Sequence, residues 1–168
     1  EKGIAAQDLS IFAMAVKKGK GIVVLVNKWD LMSKETNTAR DYEAALKKRF
    51  APFTDLPILF ISATEKTRIF KAIELSLEVY ENRKQHIPTS KLNDIMLKSI
   101  EAYHAPVVRG NQVKIKYVTQ LPVIVPSFAF FCNYPDDIKA PYKNYLENQM
   151  RTHFKFTGVP VRIFFRKK

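Results

Sequence analysis

The chain has 168 residues, 46% of them hydrophobic, with 28 Lys and Arg against 16 Asp and Glu and a formal charge of +12. That length fits one domain or two small ones, and the apolar fraction is that of a folded chain, which excludes wholesale disorder. A lone Cys132 excludes an internal disulfide scaffold and favours a reducing compartment, so a soluble, cytoplasmic protein is expected.

No run approaches the roughly 18–20 apolar residues of a membrane span. The longest candidate, residues 121–132, is interrupted by Pro122, Pro126 and Ser127. The chain opens Glu1-Lys2-Gly3, without an initiator Met or an apolar signal core, as expected of a processed chain or of a piece of a longer one. Charge is uneven: residues 1–85 hold 15 basic and 11 acidic side chains, residues 86–168 hold 13 and 5. The second half, at a net +8, is the half suited to an anionic partner such as nucleic acid.

The first half alternates helix and strand. Residues 7–18 are predicted helical, with Leu9, Ile11, Phe12, Met14, Ala15 and Val16 apolar and Gly19 as the stop. Residues 21–26 are continuously apolar and β-branched, which predicts a strand buried on both faces. A helix over 38–50, a second buried strand over 57–61 and a helix over 68–84 follow. This α-β-α-β-α order is one side of a doubly wound α/β sheet.

Beyond residue 85 the pattern changes. A helix capped by Thr89 or Ser90 is predicted to run to about Tyr103. A strand over 112–118 sets Val113, Ile115 and Tyr117 against Lys114 and Lys116. An apolar strand over 127–133, a helix over 142–154 and a strand over 161–165 complete an α-β-β-α-β unit.

Directly after the first apolar strand stands Asn27-Lys28-Trp29-Asp30. Ligands of doubly wound sheets bind beyond the carboxyl ends of the strands, so this is where a site belongs. A carboxylate at Asp30 can accept both the ring N1–H and the exocyclic amine of guanine, a pair that adenine cannot offer. Leaving such groups unpaired costs on the order of 1–3 kcal/mol each. Asn27 can bond loop backbone and base edge, and the Lys28 stem can cover the ring face. An ordinary Asn/Asp turn uses the same residue types. The second strand, however, also ends in a polar element, Ser62-Ala63-Thr64, where a small side chain at Ala63 lets backbone N–H groups approach a base carbonyl.

Strand–NKxD–helix–strand–SA–helix is the base-recognition half of the P-loop GTPases. Their phosphate half has no counterpart in this sequence: nothing fits G-x-x-x-x-G-K-[ST], and no Asp-x-x-Gly switch occurs. Hydrolysis by these residues alone is therefore not expected, and no catalytic residue is assigned.

The chain resembles the C-terminal part of the Der (EngA) family of double-GTPase-domain ribosome-assembly proteins. The resemblance rests on GIVVLVNKWDL at 21–31, PILFISAT at 57–64, TSKLN at 89–93, YLEN at 145–148 and GVPVRIFFRK at 158–167, in that order. It implies a partial doubly wound GTPase sheet over 1–85, the back half of the second G domain, followed by an α+β KH-like domain over 86–168. It implies GTP or GDP as ligand, contacted by Asn27, Lys28 and Asp30 and supported by Ser62 and Ala63, with Mg²⁺ only in the full-length parent. It also implies GTP hydrolysis by that parent, and as partners the large ribosomal subunit or its precursor, rRNA, and the parent's other G-domain segments.

A typical KH domain clamps nucleic acid with a G-x-x-G loop, and residues 86–168 contain only Gly110 and Gly158. RNA or ribosome contact is therefore expected of Arg109, Lys114, Lys116, Arg166 and Lys167 instead, though lysines also serve simply to blunt an edge strand. Phe128, Phe130, Phe131, Phe154, Phe156, Phe164 and Phe165 are expected to pack in the core. His86, His104 and His153 have no metal-ligand spacing, so no metal site is assigned. Asp136 and Asp137 read as a turn and helix cap. Two other readings stand beside this one: an Era-like fragment with one G domain, and a stand-alone RNA-binding KH-like module with a non-functional G-domain remnant.

Overall fold

Apolar residues at helical spacing, separated by short β-branched runs, build α1 (Ala6–Lys17), β1 (Val24–Val26), α2 (Thr38–Arg49), β2 (Ile58–Phe60) and α3 (Ile69–Arg83). A computed structural model describes residues 4–32, 38–51, 53, 55–105, 107, 110 and 112–167. Arg109 and Lys168 lie outside the described residues. The chain forms two compact units, Glu1–Arg83 with Phe156–Pro160, and Lys84–Lys155 with Val161–Lys168.

In the first unit β1 and β2 are parallel, in the register Val24–Ile58, Leu25–Leu59, Val26–Phe60. Parallel strands need a crossover, and α2 supplies it. Ile22, Val24 and Val26 pack on one side against the buried cluster Leu46, Phe50, Phe53 and Leu56, with Phe12 of α1 4.4 Å from the Phe50 ring. Val23 and Leu25 face α3 across a cleft of about 320 Å³ lined also by Ser76, Val79 and Tyr80. The expectation of a strand buried on both faces is not met: no residue of β1 is buried, and Leu25 is 45% exposed. β1 is also shorter than the apolar run. The Ile22 N–H bonds outside the ladder, to the Gly158 carbonyl at 2.8 Å.

Gly158 belongs to a segment that returns to this unit late in the chain. Its N–H reaches the Asp55 carbonyl at 3.2 Å, and Asn82 of α3 donates from Nδ2 to the Thr157 carbonyl at 3.1 Å. Gly158 has φ +73°, and a Cβ there would lie 2.5 Å from Val79 Cγ2 and 2.8 Å from the Ile22 oxygen. Only glycine satisfies both the dihedral and the space.

The second unit contains α4 (Thr89–Ala102), β3 (Ile115–Gln120), β4 (Ser127–Cys132), α5 (Ala140–His153) and β5 (Arg162–Lys167). Its sheet has the order β3-β4-β5, with β4 antiparallel to β3 and parallel to β5. The helix caps differ from expectation. Pro88, not Thr89 or Ser90, is the N-cap of α4, and Lys139 is that of α5; Asp136 and Asp137 form a 3-10 turn before it. Proline's fixed φ starts α4 without a side-chain cap.

Strand register divides the sheet into two faces, because side chains of paired residues project to the same side. Val118, Phe130 and Phe165 share one face with Gln120, Phe128 and Ile163. There Val118, Phe128 and Phe130 are fully buried, as are Leu92, Met96, Leu146 and Met150 of the helices. Asn93 of α4 closes the outer edge of β3, accepting the Val118 N–H at Oδ1 and donating from Nδ2 to the Val118 carbonyl, both at 2.8 Å. A side-chain amide thus stands where a further strand would bond. The mixed α/β architecture of the chain agrees with the fold class read from the sequence.

Two corrections concern this sheet. The simple alternation over 112–118 fails because the register shifts between Ile115 and Tyr117, a bulge at Lys116. The seven phenylalanines are not all core: Phe128, Phe130, Phe154 and Phe156 are buried, Phe131 and Phe165 are half-buried, and Phe164 is 42% exposed. Phe131 and Phe164 project from the face opposite the buried one.

Candidate functional site

The loops that follow β1 and β2 are tied together by backbone. The Ile61 N–H donates to the Val26 carbonyl at 2.9 Å, and the Trp29 N–H to the Ile61 carbonyl at 3.0 Å. Asn27 completes the junction. Its Oδ1 accepts the Lys28 N–H at 2.8 Å and the Ala63 N–H at 3.0 Å. One side chain thereby fixes both polar elements at the carboxyl edge of a parallel pair.

Trp29 anchors this loop from below: its ring lies 4.2 Å from that of Phe60 and 5.9 Å from that of Tyr42. With Trp29 held in the aromatic cluster, Lys28 is exposed and Asp30 half-buried within the 3-10 turn Trp29–Leu31. Ser62 is buried at 2% exposure and accepts the Glu65 N–H on Oγ at 3.2 Å. Ser62 and Thr67 exchange backbone bonds that close a tight loop, and the neighbouring Ala63 is exposed at its surface. Ser62 therefore acts on the loop's shape. The N–H of Ala63 is spent on Asn27, so a base carbonyl approaching this turn must be met by another donor.

Backbone strain concentrates here. Among the described residues the non-glycine positions of positive φ are Lys28 (62°), Lys66 (55°) and Arg68 (60°), all in these two loops. A left-handed residue other than glycine costs about 1–2 kcal/mol, and such strain collects where a ligand requires a fixed loop. Arg68 also donates to the Phe60 carbonyl at 3.4 Å, bracing the loop against the strand end. Spacing signalled Asn27, Lys28, Asp30, Ser62 and Ala63; nothing in it signalled Lys66 and Arg68, since non-glycine residues carry no mark of a positive φ.

The basic residues expected to meet RNA do not form one group. Lys114 is exposed just before β3, its N–H held by Asn133 Oδ1 at 2.8 Å. Lys116 is the exposed bulge residue. Arg166 pairs in register with Phe131 and Lys167 with Cys132, so the two point to opposite faces of the sheet.

Burial perturbs two titratable groups of the second unit. Tyr142, which donates its hydroxyl to the Tyr103 carbonyl at 3.0 Å, is pushed up to about 12 by burial, with added repulsion from Tyr145 and Tyr103. Burial likewise raises the Cys132 thiol, which keeps it protonated and unreactive.

Comparison with known proteins gives these features a family. Residues 86–166 match a family described as KH-domain-like of EngA bacterial GTPase enzymes, C-terminal; the second unit is thus a KH-like domain. The chain is 54% identical over 167 residues to GTPase Der of Flavobacterium johnsoniae, 52% over 167 residues to GTPase Der of Christiangramia forsetii and 51% over 168 residues to that of Porphyromonas gingivalis. Each alignment covers 99% of this chain and 38% of the relative. The chain belongs to the Der (EngA) family and corresponds to the C-terminal part of its members. It spans well under half the length of those relatives.

Proposed function

We propose that this chain is the part of a longer GTP-binding, GTP-hydrolysing ribosome-assembly factor that reads guanine and carries a KH-like domain toward RNA of the large subunit. The observation that carries the reading is the Asn27 junction, which locks the Asn-Lys-Trp-Asp loop to the Ser-Ala turn at the carboxyl edge of β1 and β2. That edge is the ligand side of an α/β sheet.

The donor set fits the base of a guanine nucleotide. Asp30 accepts the N1–H and the 2-amine, the Lys28 stem lies over the ring, and Asn27 and Ser62 hold the loops so that neither must reorganise on binding. Preorganised partners of this kind are worth more than mobile ones. The phosphates and Mg²⁺ lack a corresponding donor set in this sequence, so these residues supply base selection and not the hydrolytic step. Relatives named as GTPases and the basic, KH-like second half support the remainder of the reading.

The test uses Asp30→Asn in the full-length protein, comparing GTP with inosine triphosphate, which lacks the 2-amine. The unaltered protein should prefer GTP by about tenfold or more, one charged hydrogen-bond pair. An amide cannot accept both donors, so the variant should lose that preference while keeping its fold. A preference for GTP unchanged in Asp30→Asn would overturn the base-reading assignment.

A further inference from the structure

Among the described residues the second sheet face is the less buried of the two, although Ser127 and Ala129 of β4 are buried there. It carries Tyr117, Phe131 and Arg166 in one cross-strand row, Thr119, Ala129 and Phe164 in the next, then Ser127 and Arg162. None of these residues is acidic. The Tyr117 and Phe131 rings lie parallel, 13° apart in plane and 4.5 Å between centroids, and both are half-buried. Phe164 is 42% exposed, and Arg162 and Arg166 on either side of it along β5 are exposed as well.

We propose that this face is a stacking platform for single-stranded RNA, with unpaired bases lying on Phe164 and on the Tyr117–Phe131 pair and the backbone running past Arg162 and Arg166. The proposal rests on the reading of RNA as a partner and names the surface that would engage it. Three features carry it. Phe164 is exposed on its strand, while the large fully buried side chains of the sheet, Val118, Phe128 and Phe130, lie on the other face. Its ring offers a π-surface that any base can use. Arginines two residues from Phe164 on each side project to the same face, about 6.6–6.8 Å away along the strand, and supply the charge that a phosphate backbone requires and an apolar protein partner does not. Finally, Ala129, a fully buried methyl side chain next to Phe164, keeps the middle of the platform low. This arrangement makes no use of a G-x-x-G loop.

Binding of a labelled uridine dodecamer to the 168-residue chain, read by fluorescence anisotropy across a salt series, tests the assignment. Phe164→Ala and Phe164→Leu should each weaken binding about tenfold without altering its salt dependence, whereas Phe164→Trp should retain it; a base-stacking contact has this signature. Arg166→Ala should reduce the magnitude of the slope of log affinity against log salt by about 0.7, one phosphate on a single strand. A matched RNA duplex, whose bases are already stacked, should compete poorly. Circular dichroism melts of the variants separate a lost contact from a lost fold, and the leucine variant keeps the packing of β5. Should the chain bind the oligonucleotide equally well with all three Phe164 variants, the platform is wrong and RNA contact elsewhere stands. Should it bind no RNA at any salt concentration, the RNA reading falls and the platform with it, which leaves the face to a protein partner.

Discussion

The two units are built from similar lengths of chain but enclose their apolar residues to different degrees. In the KH-like unit Leu92, Met96, Val118, Phe128, Phe130, Leu146 and Met150 are all fully buried. In the first unit neither α1 nor β1 has a buried residue, while Ile11, Met14, Phe70, Ile73, Leu77 and Tyr80 are exposed. The last four recur along α3 at intervals of three, four and three, the spacing of a helix face made for packing. The difference teaches that apolar sequence alone does not make a core. A three-stranded sheet with helices on one face closes around itself, whereas a two-stranded parallel pair offers two apolar faces and too little surface to cover both.

The contrast is broken most directly by truncating one side chain on each side of it. Phe130→Ala removes a fully buried ring and should cost about 3–5 kcal/mol. Leu77→Ala, at 60% exposure, should change stability by no more than about 0.5 kcal/mol. Urea denaturation of the two variants, followed by far-ultraviolet circular dichroism, measures both. A comparable loss in each would mean that α3 is as well packed as the sheet of the second unit.

Beside its buried cluster of Leu46, Phe50, Phe53 and Leu56, the first unit is tightly fitted around Gly158. An alanine there combines a left-handed residue, at about 1–2 kcal/mol, with an overpacked methyl against Val79 and the Ile22 carbonyl, at about 1–3 kcal/mol. Gly158→Ala should therefore destabilise the first unit by about 2–5 kcal/mol, read through the fluorescence of Trp29, the single tryptophan. An unshifted tryptophan transition would show that the returning segment is a loose appendage.

Edge closure is the next contrast. Asn93 satisfies both backbone groups of Val118 at the outer edge of β3. Removing it in Asn93→Ala should cost about 1–3 kcal/mol, the price of polar groups left unpaired, and should speed amide exchange at Val118 specifically. Exchange at Val118 no faster than in the parent chain would mean that water replaces the side chain without loss.

Much of this was legible in the sequence, for reasons that individual residues make plain. Helix boundaries came within a few residues because Gly19, Pro88 and the apolar spacing act locally. The Asn27–Asp30 tetrapeptide stood out because its residue types match the edges of one base. The accessibility of β1 was misread because burial is set by lateral neighbours, which Val24, Leu25 and Val26 do not encode. Phe164 was misread for a related reason. In a central strand both faces can be apolar, but β5 lies at the sheet edge with one face less buried, and its Arg162-Ile163-Phe164-Phe165-Arg166 run does not say which phenylalanine turns outward. The role of Gly158 in the first unit was invisible because it depends on contacts with Ile22, Asp55 and Val79, more than seventy positions away in each case.

The smallest expected effect concerns the closed unit alone. Tyr142 is 2% exposed and, with a value of about 12, holds its proton to a higher pH in the folded chain than in the unfolded one, where a tyrosine ionises near 10. Between about pH 10 and 12 the unfolded state therefore binds fewer protons than the folded state, so this tyrosine's contribution to stability falls as pH rises through that window. Below pH 10 the contribution is fully present. Spectrophotometric titration of the phenolate band should show one tyrosine ionising late in the parent chain and missing from Tyr142→Phe. The variant also gives up the hydrogen bond to the Tyr103 carbonyl, so its stability should be lower at neutral pH yet decline less steeply above pH 10. If Tyr142 ionised together with the exposed tyrosines, the second unit would be admitting water where its packing is tightest, and the contrast between the two units would lose its firmest side.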